Sequence, residues 1–368
     1  INRYKTTQDL KKNKLVLDMH LSVDKQETAQ KLYSSSGKLS VEAVDNGLKR
    51  ENGEFVYVPG KEGVEVDIVN SVYAINDFLA DGWDGSDNEI ALVTEVVEPR
   101  GTEEELAEVK DLLGSYSTDF SSSSAGRAKN VTTGCSKVDG TILYPGDEFS
   151  TYVAVSPFTE ANGYYLAGSY LNGQVVDSFG GGICQDSTTL YNAVLLAELE
   201  VTERHNHSMI VSYVDPSADA AIAESAGKDF RFVNNTEAPI YIEGYTYGGK
   251  IYFTLYGEEY RSTDRKVTYE SETLETIDPT TELTADPEKA FGSMEQTQSA
   301  HTGYKAKLWK IVTENGEQVS KEEVNNSYYQ MTPNKYKVGV KTSNAEASSA
   351  MYTAIANNDL NQVYVVLN

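Results

Sequence analysis

The sequence predicts a multidomain, β-rich α+β protein: an N-terminal α+β domain, a central mixed α+β domain and a small all-β module near the end. Three observations carry that expectation. A chain of 368 residues is longer than one ordinary core serves. Its apolar residues, with 25 tyrosines and 10 phenylalanines among them, recur mostly in alternation, the period of a half-buried strand. Helical spacing is limited to a few stretches between those strands.

Taken in order, residues 14–24 (KLVLDMHLSVD) alternate as a strand, and KQETAQKLYSSSG follows as a helix closed by Gly37. LSVEAVDNGLKRENGEFVYVPGKEGVEVD reads as short strands separated by Asn-Gly and Pro-Gly turns. IVNSVYAINDFLADGW places Ile68, Val72, Ile75, Phe78 and Leu79 on one helical face, and IALVTEVVEPR closes the unit as a strand. The order β-α-β-β-α-β is that of an α+β domain. GTEEELAEVKDLLGSY predicts a connecting helix, with Thr102 and Glu105 forming a capping box. SSSSAGRAKN at 121–130 predicts an exposed loop.

The central domain begins near Asn130 with a short helix, then strands around a Pro-Gly-Asp turn at 145–147. A helix follows Cys184, and EVTERHNHSMIVSYV sets His205 and His207 at alternate positions beside a strand-like run, so that their side chains share a face. KDFRFVNNTEAPIYIEGYTYGGKIYFTLYGEE has the pattern of a hairpin turning at Gly248-Gly249. From Tyr260 the composition shifts to Thr, Glu and Asp, a linker or extended edge. Tyr-rich strands around Asn315-Gly316 then form a small β module, and the last stretch reads as a short helix and a strand.

Acidic residues outnumber basic ones 56 to 31, a formal charge of −25, with no basic cluster. Nucleic acid and anionic membrane surfaces, which demand Lys/Arg patches, are therefore excluded as partners. No run reaches the ~20 apolar residues of a membrane helix. The start at Ile1 without Met reads as a trimmed or mature form, so a membrane enters only through a removed N-terminal anchor. Two cysteines, Cys135 and Cys184, give no metal framework without the histidines, and no resident metal or cofactor is expected.

The chemistry concentrates in SFGGGICQDSTTLYN, residues 178–192. Gly180, Gly181 and Gly182 run into Cys184 at a helix start, where the helix N-terminus lowers a thiol's pKa and nearby amides are placed to receive an oxyanion. The domain's downstream histidines, His205 and His207, are the candidate bases. Asp186, Glu203 and Asp219 are candidates to orient the imidazole, and Gln185 to assist the oxyanion site. Arg204 is placed to hold a carboxylate such as a peptide-stem terminus, and Tyr164, Tyr165, Tyr170 and Tyr191 to stack on sugar rings. The expected substrate-lining set is thus Gly180, Gly181, Gly182, Gln185, Thr188, Tyr191 and Arg204. Four readings of Cys184 stay open: nucleophile, buried packing residue beside a tight turn, metal ligand with the histidines, or half of a disulfide with Cys135.

These residues also carry a family likeness. NGQVVDSFGGGICQDSTTLYNAVLLAELEVTERHNHSMIVSYVDPSADAAI, preceded by DGTILYPGDEFS and followed by KDFRFVNNTEAPIYI, resembles the VanW-like domain of bacterial envelope proteins over residues 128–258. Residues 1–118 resemble, in pattern more than in signature residues, the peptidoglycan-binding domain that often precedes VanW-like domains and accompanies some L,D-transpeptidases. Residues 299–342 resemble the G-five domain, a small β repeat of bacterial surface proteins suspected of binding N-acetylglucosamine. Between them lie the linker or extended segment 259–298 and, at the end, 343–368. Cys135 departs from the family pattern, whereas the GGGICQ stretch is intact.

The resemblance implies an exported protein of a Gram-positive-type bacterium, extracellular and held at the cell wall or membrane. Its implied partner is peptidoglycan or another cell-wall glycan. VanW takes its name from glycopeptide-resistance gene clusters, so a cell-wall setting follows, while vancomycin resistance as this protein's own task does not. The alternative to plain wall binding is cysteine-dependent acyl transfer on peptide stems, an amidase or transpeptidase using Cys184 with His205 or His207.

Overall fold

The computed structural model describes residues 8, 12, 20–81, 83–171 and 174–367, and most of the expected first strand lies outside them. The chain divides into two compact units, residues 1–47 with 56–103, and residues 48–55 with 104–368.

In the first unit, helix α1 (Lys25–Leu39) is capped by Asp24, whose carboxylate accepts from the Glu27 amide at 2.8 Å. It runs past Gly37, the expected stop, to a C-cap at Ser40. Helix α2 (Ile68–Asp81) buries Ser71 and Val72. Strands β3 (Gly63–Val66) and β4 (Thr94–Val97) pair antiparallel. Strands β1 (Gly47–Glu51) and β2 (Glu54–Val58), whose residues are divided between the two units, flank Asn52-Gly53, both with positive φ, as the hairpin signal demands.

The second unit is built on a four-stranded antiparallel sheet ordered β5 (Asp111–Asp119), β13 (Lys250–Gly257), β12 (Ile240–Tyr247) and β6 (Thr141–Leu143). Helix α4 (Ala125–Val138) packs on β12, and helix α6 (Cys184–Leu196) on β5 and β13. Val131, Leu190, Val194, Phe230, Ile242 and Phe253 lie fully buried in the resulting core. Burial of such side chains contributes about 1.5–3 kcal/mol each, enough to hold α6 against the sheet although its own pattern is polar at the start.

Two expectations fail here. The helix expected after Thr102 is one turn, α3 (Glu103–Leu106), and residues 111–119 are strand instead. Pairing along almost the whole of β13 outweighs their helix-forming composition. The loop expected at 121–130 gives way to α4, because Ser124 caps it by accepting from the Arg127 amide.

Residues 259–298 are extended, but as paired strands. Long strands β14 (Arg265–Ile277), β17 (Gly303–Glu314) and β18 (Glu317–Tyr329) form one antiparallel sheet, with β17 and β18 joined through Asn315-Gly316. Strands β15 (Thr281–Ala290), β19 (Asn334–Lys341) and β16 (Met294–Gln298) form another, in which β15 runs parallel to β19. The expected C-terminal strand is a helix, α8 (Leu360–Leu367), following α7 (Ala345–Ala356). Leu360, Val363 and Val366 recur every third residue, and all three pack in the cluster containing Val338, Val340 and Met351.

Candidate active site around Cys184

The glycine run is forced by close approach. Gly180 and Gly182 have φ of +78° and +111°, and a Cβ on Gly181 would stand 2.2 Å from the Ala167 carbonyl oxygen. A Cβ would meet the Phe158 ring at Gly180, the backbone of Ala167 and Gly168 at Gly181, and Arg127 at Gly182. Asn130, fully buried, clamps the turn: its amide donates to the Tyr165 and Gly181 carbonyls at 2.9 Å each and accepts from the Tyr165 amide at 2.7 Å. The glycines are therefore required by the packing of the turn itself. The turn's task is to deliver Cys184 to the first position of α6.

Cys184 is half-buried and has a free thiol, which donates to the Ile222 carbonyl at 3.4 Å. Burial alone would raise its pKa. Instead it is lowered, because the His207 side chain hydrogen-bonds the sulfur and its positive charge favours the thiolate. His207 is buried, 6% exposed, and its Nδ1 lies 2.6 Å from Asp219 Oδ2 while its backbone amide donates to the same oxygen at 2.7 Å. With Nδ1 so engaged, Nε2 is the ring nitrogen left for Cys184. Burial pulls the imidazole's pKa down, but the bonds to Asp219 and Cys184 prevail and hold it up at about 9.

Asp219 is fully buried and takes two further bonds on Oδ1, from Arg204 Nη2 at 2.9 Å and from the Tyr329 hydroxyl at 2.5 Å. Burial would raise its pKa; His207 and Arg204 together hold it below the ordinary carboxylate range. Cysteine, imidazole and carboxylate thus stand in series, a relay arrangement in which the charged forms of thiol and imidazole favour each other.

The other expected site residues separate from this relay. His205 pairs with Glu203 at 3.0 Å rather than joining His207 on one face, because the short strand Glu200–Glu203 ends there and strand alternation does not extend past it. The strand-like run after His207 is irregular, with Met209 buried. Gln185 is buried and donates to Thr118 Oγ1 and the Asp119 carbonyl, so it is not an oxyanion donor. Asp186 is buried beside Gly134 of α4, away from His207, and burial pushes its carboxyl well above the ordinary range. Thr188 exchanges hydrogen bonds with the backbone of Ala220. Arg204 does hold a carboxylate, but that of Asp219 in its own chain.

Among the tyrosines offered for sugar stacking, Tyr164 and Tyr191 are buried core residues, Tyr165 is exposed, and the side chain of Tyr170 lies outside the description. Cys135 is buried with a free thiol, so the two cysteines are unpaired with each other. Among the described residues no group of three or more His, Cys, Asp or Glu is placed to hold a metal ion. No described helix is long and apolar enough to cross a membrane.

Arg204, His205 and Asn206 line a cavity of about 600 Å³ together with Lys310, Asn325 and Asn326. Tyr329 and Asn130 are the functional residues that sequence reasoning missed. Tyr329 stands 110 positions from Asp219, with no local signal, whereas a lone Asn on the buried face of a helix-forming stretch was a readable one.

Residues 126–256 match the family model described as VanW like protein. The central segment is VanW-like. Residues 268–341 match the G5 domain, and residues 1–84 match the family described as "Putative peptidoglycan binding domain". The G5 match begins within β14, earlier than the module expected at 299–342, so much of the expected linker belongs to it. A curated relative, "Uncharacterized protein YoaR" of Bacillus subtilis (strain 168), is 38% identical over 147 residues, 40% of this chain. The match spans about half (48%) of that relative's length.

Among solved structures, "IgA1 Protease G5 domain structure" aligns at 27% identity and TM-score 0.18, covering 23% of this chain and 98% of its own. "Crystal structure of HP0197-G5" aligns at 13% identity and TM-score 0.15, covering 21% of this chain and all of its own. VanW-like, G5 and peptidoglycan-binding segments on one chain mark a cell-wall-associated protein.

Proposed function

We propose that this protein works outside the cell at the bacterial wall, where it binds peptidoglycan or its precursors. The observation that carries this reading is the presence of a peptidoglycan-binding segment beside VanW-like and G5 segments in one chain. The chain's charge of −25 keeps it off anionic polymers such as nucleic acid, while a mixed-charge wall peptide remains open to it. Sedimentation with purified peptidoglycan tests the proposal. The protein is expected in the pellet, and its failure to be retained at low salt would overturn the binding role.

A second reading rests on one specific observation, the arrangement of Cys184, His207 and Asp219. In it the bound peptide stem is a substrate for acyl transfer. The Cys184 thiolate adds to an amide carbonyl carbon, the C–N bond breaks, and the departing amine takes the proton held on His207. The thioester left on Cys184 is then resolved by water, giving hydrolysis, or by a second amine, giving transpeptidation. In either case His207 accepts the proton that the incoming nucleophile loses. Incubation with purified stem peptides, followed by mass spectrometry, tests this reading: a thioester on Cys184 is expected, absent in Cys184→Ala. A wild-type protein that neither acylates nor turns over any stem peptide would refute it.

A further inference from the structure

We propose that the G5 module is a working part of the reactive centre: Tyr329, on β18, is a positioning residue that holds Asp219, and through it His207, in register with Cys184. The proposal rests on the acyl-transfer reading above.

The geometry is that of a clamp. Asp219 sits in an irregular loop, and two residues before it Ser217 adopts φ of +70°, a left-handed conformation unfavourable for a residue with a side chain. That conformation persists because the module's strands hold it from outside. Ser217 Oγ bonds the Ala306 carbonyl of β17 at 3.1 Å and Ser327 Oγ of β18 at 2.7 Å. The Ser217 amide donates to the Tyr329 hydroxyl at 2.6 Å. The same hydroxyl donates onward to Asp219 Oδ1, so one atom of β18 ties the loop backbone to the carboxylate.

Ser327 also accepts from Arg204 Nη1 at 2.9 Å, placing the second Oδ1 donor under the module's control. Nearby, the Gln330 amide donates to the Ser208 carbonyl at 2.7 Å, and Asn206 Nδ2 donates to the Tyr328 carbonyl at 2.8 Å, so the residues on both sides of His207 are tied to the same strand end. Tyr329, Ser327 and Ser217 are all buried. A module that only gripped the wall would need none of these bonds. A carboxylate that must keep one imidazole tautomer needs both of its oxygens saturated by fixed donors, and β18 supplies or supports each donor to Oδ1.

The test is the pH dependence of Cys184 alkylation by iodoacetamide in the full chain, for wild type, Tyr329→Phe, Ser327→Ala, Val319→Ala and His207→Ala. Val319 lies on the same strand, 55% exposed, and its variant should match wild type. Tyr329→Phe keeps the ring and removes the hydroxyl. It is expected to move the profile to higher pH and to lower the rate at pH 6 about tenfold, the scale of one hydrogen bond to a charged group. Ser327→Ala should move it the same way, by less.

Superposition of folded Tyr329→Phe and Ser327→Ala on wild type, with His207→Ala still slow, would overturn the role of the module and leave the relay standing. An ordinary thiol profile in wild type itself would overturn both. Should Tyr329→Phe fail to fold by circular dichroism, Ser327→Ala alone decides, a shift supporting the proposal and superposition refuting it.

Discussion

Replacing Asp219 by Asn removes a single charge from the centre of the relay. In the native protein that carboxylate receives four bonds, from the His207 amide and ring, Arg204 and Tyr329, at 2.5 to 2.9 Å. Two consequences follow. Arg204, nearly buried, loses its counter-ion, and breaking a buried pair in this way costs about 3–5 kcal/mol. An Asn side chain also presents an amide N–H toward the His207 ring, which favours the tautomer carrying its proton on Nε2, facing Cys184.

In that tautomer His207 no longer takes the thiol's proton, and the Cys184 pKa returns toward an ordinary value near 8.5. At pH 6 an ordinary thiol is only about 0.3% thiolate, and the lowered pKa of Cys184 raises that fraction. The gain in intrinsic nucleophilicity of the more basic sulfur recovers part of that loss, leaving a fall in alkylation rate of roughly tenfold or more at pH 6. Urea unfolding measures the first effect and stopped-flow alkylation the second. A variant within about 1 kcal/mol of wild type whose pH profile superposes on it would refute the assignment of Asp219 to the relay.

Three further outcomes are expected. Stem-peptide cleavage should need Cys184 ionised and His207 protonated, so its rate should rise through the lowered thiol pKa and fall again above about 9, where the imidazolium loses the proton owed to the leaving amine; alkylation, which needs no such proton, should not fall there, and a shared upper limb would contradict the roles given. Gly181→Ala drives a Cβ to 2.2 Å from the Ala167 carbonyl, so the turn must shift and the melting temperature should drop by several degrees, with a variant as stable as wild type counting against a packed turn. Cys135, buried and with its pKa raised mainly by burial, should label only after denaturation, so intact-mass analysis of native alkylated protein should show one adduct, and two would show that α4 opens readily.

Much of the site was legible locally. Three glycines before a cysteine at a helix start mark a turn that needs positive φ and a close backbone approach, and the turn has both at Gly180 to Gly182. The downstream histidines were the evident bases, and Asp219 stood among the candidates to orient them. Two local assumptions fail. Alternation was extended beyond Glu203 into an irregular loop, which paired His205 with His207. Gln185, Thr188 and Tyr191 lie near the cysteine in sequence but on a helix buried continuously from Gln185 to Leu195, and Arg204 is turned to Asp219.

By itself the sequence determined a β-rich multidomain chain, its Asn-Gly and Gly-Gly hairpins, and the cysteine around which the central segment is arranged, because these depend on the conformational preferences of a few neighbouring residues. Only the tertiary structure decided that residues 111–119 form a strand, since their partner β13 lies about 140 positions away. It likewise chose His207 over His205 and Asp219 over Asp186 and Glu203, and it brought Tyr329 from the G5 module to the same carboxylate. Long-range pairing and burial outweigh local propensity wherever a residue's partners are remote, and each member of this relay finds its partner more than ten positions away.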